Sequence, residues 1–212
     1  MKGYYTACVT LLVTLCVANV VEGHGRLTEP PGRSTAWRFG FKTPPNYNDN
    51  ELFCGGLGRQ HKINGGRCGV CGDPWDVPTP RANEDGGRYG RGVIVRKYYQ
   101  GETIDVSVDI TANHNGRFWF RLCPADGEVN QECFDRHVLH IEGSGDSWEL
   151  VNNATGLYKF RVRLPENVTC ERCVLQWDWT AGNQWNICPD GRGRRGCGPQ
   201  ETFRGCADIS IA

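Results

Sequence analysis

The sequence has no long apolar run after its first 23 residues and no excess of charge of either sign. Because a membrane-spanning helix needs about 20 apolar residues, we expect no membrane partner for residues 24–212. The 24 basic residues balance the 24 acidic ones, and they form no long basic run. Nucleic acid is therefore disfavoured as a partner. Internal repeats and low-complexity segments are also absent, which predicts a single domain and a monomer.

The one apolar run lies at the start, where residues 1–23 have the layout of a secretory signal peptide. A lysine precedes the apolar stretch, and Val21 and Gly23 are the small residues that a signal peptidase requires. A membrane anchor is the alternative, but polar and charged residues follow at once. We therefore predict cleavage after Gly23, a secreted extracellular product and a mature chain that begins at His24.

Ten of the twelve cysteines follow residue 23, and an even number in a secreted chain predicts five disulfides. Two CxxC pairs also have a spacing that fits zinc: Cys68 with Cys71, and Cys170 with Cys173. An oxidising compartment favours disulfides for both pairs. The sequence leaves the connectivity open, with Cys123–Cys133 as the most local pairing. Two N-glycosylation sequons, at Asn153 and Asn167, fit an exported glycoprotein.

The distribution of turn residues divides the mature chain into a loop-rich part and a strand-rich part. Residues 24–92 are rich in Gly, Pro, Asn and Arg, which predicts long loops. Residues 103–110 and 157–164 alternate between apolar and polar side chains, as strands do. Weaker strands are predicted at 93–97, 117–123, 137–141, 173–179 and 206–211. This pattern predicts an all-β fold, an immunoglobulin- or fibronectin III-like antiparallel β-sandwich with long disulfide-tied loops.

Two histidines stand where they are able to bind a metal. A chain that begins at His24 offers the α-amine and the ring Nδ1 of one residue, which together close a chelate ring. His114 follows the strand at 103–110 and would complete a T-shaped set of three nitrogens, which suits copper. Taken singly, each could equally be an ordinary surface or loop histidine. We expect the other three histidines to be structural or solvated: His61, His137 and His140. No carboxylate pair indicates a glycosidase.

Three stretches near the start of the mature chain carry a family resemblance: 24–34, 37–40 and 46–56. They resemble lytic polysaccharide monooxygenases of auxiliary activity family fifteen, chains also described as chitin-binding type-4 domains. The resemblance covers essentially all of residues 24–212. It implies one copper monooxygenase domain, with a histidine-brace copper site on the flat face of a fibronectin-like sandwich.

The resemblance also implies roles for particular residues. His24 and His114 match the ligands of one copper ion, and Ala112 matches the small residue that crowds one axial side of it. Phe203 matches the aromatic residue on the other axial side, where the family often has Tyr; Phe has no atom to ligate copper. Trp177 and Trp179 match a strand that places a tryptophan beneath the copper, although core packing is the favoured interpretation for both.

The activity implied by the resemblance is oxidative cleavage of an insoluble polysaccharide, chitin or cellulose, at C1. It would require dioxygen or hydrogen peroxide as co-substrate and an external electron donor. Trp37, Tyr47 and Trp75 are candidate contacts to a crystalline polysaccharide surface. Two alternatives remain. A non-catalytic chitin-binding module would not need a histidine at the mature N-terminus, and a copper-storage protein would not need a flat polysaccharide-binding face.

Overall fold

The computed structural model describes residues 23–212, so the predicted signal peptide, apart from Gly23, lies outside the described residues. The described chain forms these strands: β1 (His24–Glu29), β2 (Arg96–Tyr98), β3 (Thr103–Ala112), β4 (Gly116–Pro124), β5 (His140–Ile141), β6 (Trp148–Leu150), β7 (Gly156–Arg163), β8 (Cys170–Thr180), β9 (Trp185–Ile187), β10 (Gly193–Arg195) and β11 (Thr202–Ile211). Its helical segments are short: a 3₁₀ turn at Ala36–Phe39, a π turn at Arg59–Ile63 and α1 at Gln131–Asp135.

Two sheets pack face to face. The four-stranded sheet has the order β1-β3-β7-β5, and the five-stranded sheet has the order β2-β11-β8-β4-β6. β9 and β10 form a separate hairpin. All pairings among the named strands are antiparallel except that of β2 with β11. The predicted all-β sandwich is therefore confirmed, with one parallel pair at a sheet edge that the sequence pattern did not predict.

Side-chain alternation places the core between the sheets. In β3 the apolar residues of the alternating run are all buried, and Ile104 and Val106 lie opposite Val162 and Phe160 of β7. The five-stranded sheet contributes large buried side chains to the same core: Phe118, Phe120, Leu175, Trp177, Trp179 and Phe203. Burial of a side chain of this size contributes about 1.5–3 kcal/mol.

The long loops cover the outer face of the five-stranded sheet, which explains why β8 is buried on both sides. Gln176 points outward from β8, and its Nε2 donates a hydrogen bond to the carbonyl of Val70 at 2.7 Å. Arg33, also in the loop region, is buried and donates to Asp208 of β11 at 2.8 Å. Burial makes removal of either charge costly, so this pair ties the loops to the sheet.

Five disulfides confirm the cysteine prediction: Cys54–Cys68, Cys71–Cys206, Cys123–Cys133, Cys170–Cys173 and Cys188–Cys197. The most local predicted pairing, Cys123–Cys133, is among them. The zinc alternative was wrong for both CxxC pairs. One pair is bonded to itself, and the two cysteines of the other pair belong to different bridges.

Every predicted strand overlaps an observed one, but four observed strands were missed: β1, β6, β9 and β10. The sequence of β1 explains why this strand was not predicted. Its sequence contains one large apolar residue, Leu27, and it lies at a sheet edge beside β3. Within β1 only Gly25 and Leu27 are buried, so the strand has too little apolar alternation to be recognised from the sequence. The loop prediction for residues 24–29 was therefore wrong.

Candidate metal centre

The pairing of β1 with β3 places His24 at one end of the sandwich. His24 lies opposite Ala112, and the register shifts between His24 and Gly25. The imidazole of His24 is partly exposed, and its Nε2 lies 3.5 Å from Oε1 of Glu51. This contact engages Nε2, which leaves Nδ1 of the same ring for a metal.

His114 lies in the tight connection between β3 and β4. Asn113 Oδ1 accepts a hydrogen bond from the backbone N–H of Asn115 at 2.7 Å, and Asn115 has a left-handed φ of 54°, which asparagine tolerates well. The carbonyl of His114 accepts from the N–H of Gly182 at 2.9 Å. These contacts fix the backbone of His114 on both sides of the turn.

His114 is only 8% exposed, and within the described part of the chain its Nδ1 is buried without a hydrogen-bond partner. Its closest ionic neighbour is Oε2 of Glu201, at 3.5 Å. A buried polar nitrogen without a partner is costly, and a bound metal ion is one partner that would remove that cost. This is the condition expected of an imidazole that binds a metal.

The surroundings of Gly23 show that the predicted site residues lie close to one another. A Cβ built on Gly23 would come within 2.8 Å of His114 Nδ1 and 2.9 Å of Phe203 Cζ. The ring of Phe203 is fully buried and stacks on Trp179 with a centroid distance of 4.5 Å. The fold thus brings His24, His114, Ala112 and Phe203 to one place, and residue 23 of the uncleaved chain lies among them.

The donor set fits a three-nitrogen metal centre. Within residues 23–212 no group of three or more His, Cys, Asp and Glu side chains is arranged to hold a metal. A metal bound at this place would therefore depend on two imidazoles and a main-chain nitrogen. The main-chain nitrogen of His24 becomes an amine donor only after the Gly23–His24 bond is cut. Nitrogen-only sets of this kind suit copper.

Glu201 is a site residue that sequence reasoning missed. It is buried, lies just before β11 and contacts His114. Its spacing of two residues from Phe203 was the available signal, because residues i and i+2 of an extended chain face the same side. Glu51 was missed as well. No local pattern marks it, since it approaches His24 through a parallel bridge between Gly25 and the loop.

A groove of about 840 Å³ leads away from the site. It lies between the loop 55–62 and the β9–β10 hairpin, and His114 and Glu201 line its inner end. Trp185 of the hairpin lines the groove and is 63% exposed. The hairpin was not predicted, so the sequence analysis missed Trp185 as a candidate for sugar contacts. An exposed indole beside a groove suits stacking on a sugar ring.

The loop wall of this groove is held by polar contacts. His61 Nε2 lies 2.8 Å from the carbonyl of Gln200, which confirms the structural role predicted for it. Arg59 donates to Asp76 at 2.9 Å, and Asn64 donates to the same carboxylate at 2.9 Å. These hydrogen bonds, of which that from Arg59 has the largest effect, lower the pKa of Asp76 to about 2.

The remaining candidates divide between core and surface. Trp177 and Trp179 are core residues, as the favoured interpretation held, and Trp179 Nε1 donates to the carbonyl of Asn115 at 2.7 Å. Of the aromatic residues proposed for surface contacts, Tyr47 is exposed, whereas Trp37 and Trp75 are half-buried. The indole of Trp75 lies beneath the guanidinium of Arg81 at 4.5 Å.

The chain is similar to known proteins over nearly all of the described residues. Residues 24–209 match a family model described as lytic polysaccharide mono-oxygenase, cellulose-degrading. Among solved structures, the chain is similar to a lytic polysaccharide monooxygenase AA15 from Thermobia domestica in the Cu(I) state. The identity is 49% and the TM-score 0.86, covering 89% of this chain and 99% of that one. No curated protein matches the chain.

Proposed function

The chain belongs to the family of lytic polysaccharide monooxygenases, and on that premise we propose that His24 and His114 hold the copper with which it cleaves insoluble chitin or cellulose at C1. The family makes it a copper-dependent polysaccharide monooxygenase. The observation that carries the site assignment is the register of β1 with β3. It places His24 opposite Ala112, which precedes His114 by two residues. The family assignment favours the enzyme over a binding module or a copper-storage protein.

Each residue of the site has a part that follows from its position. The α-amine and Nδ1 of His24 and the imidazole of His114 would hold one copper ion. When bound, copper supplies the one-electron redox chemistry of the family. Phe203 offers no donor atom and excludes water from one side, and Ala112 crowds the other. Glu51 would orient the ring of His24 through Nε2, the nitrogen not offered to copper, and Glu201 places a carboxylate 3.5 Å from Nδ1 of His114.

Substrate binding is assigned to the surface around the histidines. Trp185 and the groove beside it would bind sugar units next to the site, and Tyr47 is a further exposed aromatic side chain. We propose dioxygen or hydrogen peroxide as co-substrate and an external electron donor, as the family requires. Chitin is the favoured substrate from the resemblance, and the description of the matched family model supports cellulose as the second candidate.

The protein's location is part of the same proposal. Members of the family are generally secreted, and the apolar leader that ends at Gly23 supports secretion here. Within residues 23–212, no helix is long and apolar enough to cross a membrane. We propose that the mature protein acts as a monomer outside the cell.

Mass spectrometry of soluble products tests the activity. The copper-loaded mature protein is incubated with a reductant on crystalline chitin and, separately, on cellulose. We expect oligosaccharides with aldonic-acid ends from at least one substrate, and none after copper is removed by a chelator. Retention on both polysaccharides without any oxidised product would contradict the proposal and favour the binding module.

A further inference from the structure

The two glycosylation sequons lie at opposite ends of the same strand. Asn153 is in the turn that precedes β7, and Asn167 is in the turn that follows it. β7 begins at Gly156, which pairs with Ile110 near the end of β3, and it ends at Arg163, which pairs with Thr103 at the far end. The seven steps from Gly156 to Arg163 separate the ends by about 23 Å. Asn153 is therefore at the site end and Asn167 is not.

The Asn153 turn packs directly against the turn that carries His114. Asn115 Nδ2 donates to Asn153 Oδ1 at 3.2 Å, and Asn113 Nδ2 donates to the carbonyl of Asn152 at 2.9 Å. Residues 113 and 115 flank His114 in the sequence. A group attached to Asn153 is consequently fixed at the rim of the face that holds the proposed copper ligands.

The side chain of Asn153 is oriented for attachment. Its Oδ1 accepts the hydrogen bond from Asn115, which directs Nδ2, the atom that a glycan modifies, away from that contact. All residues from Val151 to Thr155 are exposed, so the folded chain accommodates a glycan there. Asn167 and Thr169 are exposed too, so both sequons are accessible.

We propose that Asn153 carries an N-linked glycan that limits the approach of crystalline polysaccharide to the site, whereas a glycan on Asn167 leaves that approach free. The effect of the glycan on polysaccharide binding rests on the proposed function, whereas the modification of Asn153 does not. In the transfer, Nδ2 of Asn153 forms a bond to the anomeric carbon of a polyprenyl-pyrophosphate-linked oligosaccharide. The bond from that carbon to the phosphate oxygen breaks, the polyprenyl pyrophosphate leaves, and the amide nitrogen gives up one proton.

The test compares matched variants of the full chain secreted from a eukaryotic host. Thr155→Ala removes the first sequon and keeps the hydrogen bond between Asn153 and Asn115, whereas Thr155→Ser keeps the sequon. Thr169→Ala removes the second sequon and serves as the positional control. Glycopeptide mass spectrometry gives the occupancy of each site, and retention on crystalline chitin and on crystalline cellulose gives the accessibility of the face without any need for activity.

We expect Asn153 to be occupied in the wild type and in Thr155→Ser. Retention of Thr155→Ala on the polysaccharide that the wild type binds should be stronger by about three- to tenfold, the size of one or two ordinary interface contacts. Thr169→Ala should match the wild type. An unmodified Asn153, or an occupied Asn153 whose loss leaves retention unchanged, would overturn the proposal. A failure of the proposed function is distinguishable, because oxidised products would then be absent from every variant whatever its retention.

Discussion

At the scale of single residues, His114 combines a fixed backbone with a side chain that has room for a ligand. It is buried, its backbone is held on both sides, and its Nδ1 has no hydrogen-bond partner among residues 23–212. Glu201 beside it is buried as well. Two polar groups are thus placed side by side with little exposure at the groove, where an unfilled hydrogen-bonding position is costly. A cation bound there would satisfy both groups.

Replacement of His114 by Ala should reduce oxidised product by more than about 100-fold, because the third nitrogen of the metal centre is lost. Truncation of this buried ring should also lower the free energy of unfolding by about 1–2 kcal/mol. His140→Ala removes an exposed imidazole that lies 4.0 Å from Asp146, and it should leave both quantities unchanged. Product analysis and denaturant unfolding measure the two effects. Full activity in the His114 variant would remove this residue from the site.

Trp185 offers a second test at this scale, directed at substrate and not at copper. Trp185→Ala should weaken retention on crystalline polysaccharide by about tenfold, because the exposed indole beside the groove is lost. Copper binding should be unaffected. Tyr99 is also exposed but lies next to Glu102, just before β3 begins at the far end of the sandwich, so Tyr99→Ala is the control. Equal retention of the two variants would place the substrate elsewhere.

At the scale of elements, the disulfides differ in how much chain they close. Cys71–Cys206 spans 135 residues and joins the loops to β11, whereas Cys170–Cys173 spans 3. By the loop-entropy relation, replacing both cysteines of the long bridge with Ala should cost about 5 kcal/mol, against about 1.6 kcal/mol for the short one. Thermal unfolding of the two double variants shows which of the two disulfides contributes more to stability. A larger loss from the short bridge would contradict this account.

The loop 55–62 depends on a carboxylate whose titration is shifted. Hydrogen bonds from Arg59 and Asn64 lower the pKa of Asp76 from 3.8 to about 2. Because the folded-state pKa is the lower one, the contact stabilises the fold above pH 3.8 and is lost as the pH falls through about 2. Carboxyl-carbon NMR should give a midpoint near 2, and Arg59→Gln should move it towards 3.8. A wild-type midpoint already near 3.8 would show that the ion pair does not form.

At the scale of the whole molecule, the site joins parts of the chain that are far apart in sequence. β1, the β3–β4 turn and β11 each contribute one side, and the β9–β10 hairpin adds a wall to the groove. Of these strands, β1 and β3 belong to one sheet and β4 and β11 to the other, so the site exists only when the sandwich is closed. Metal binding should therefore be coupled to the stability of the entire fold.

Copper should stabilise the mature protein but not a chain that still carries Gly23. Free copper at about 100 times its Kd stabilises the folded state by about 2.7 kcal/mol. For a domain of this size each kcal/mol raises Tm by about 2–4 °C. The chain extended by Gly23 has no free amine on His24 and places residue 23 against His114 and Phe203. Calorimetry of both forms, with and without chelator, measures the rise in Tm that copper causes. An equal rise in both forms would mean that the amine is not a ligand.

The sequence by itself determined the features that depend on local pattern. The alternation in residues 103–110 and 157–164 dictates which side chains are buried, because neighbouring side chains in a strand point to opposite faces. The number of cysteines after residue 23 predicted five disulfides. His24 was recognised because it follows a signal-peptide pattern, and the family followed from the motifs around it.

Only the tertiary structure decided which distant residues meet. Nothing in the sequence near His24 specifies that it pairs with Ala112, since the register of β1 is set by hydrogen bonds to β3 across the whole strand. Glu201 reaches His114 because β11 and β4 flank β8 in one sheet, and Glu51 reaches His24 through a bridge in a loop that has no periodicity. Trp185 is presented by a hairpin closed by the Cys188–Cys197 bridge. Local propensity describes single segments, whereas contacts between segments are decided by packing and pairing of the complete chain.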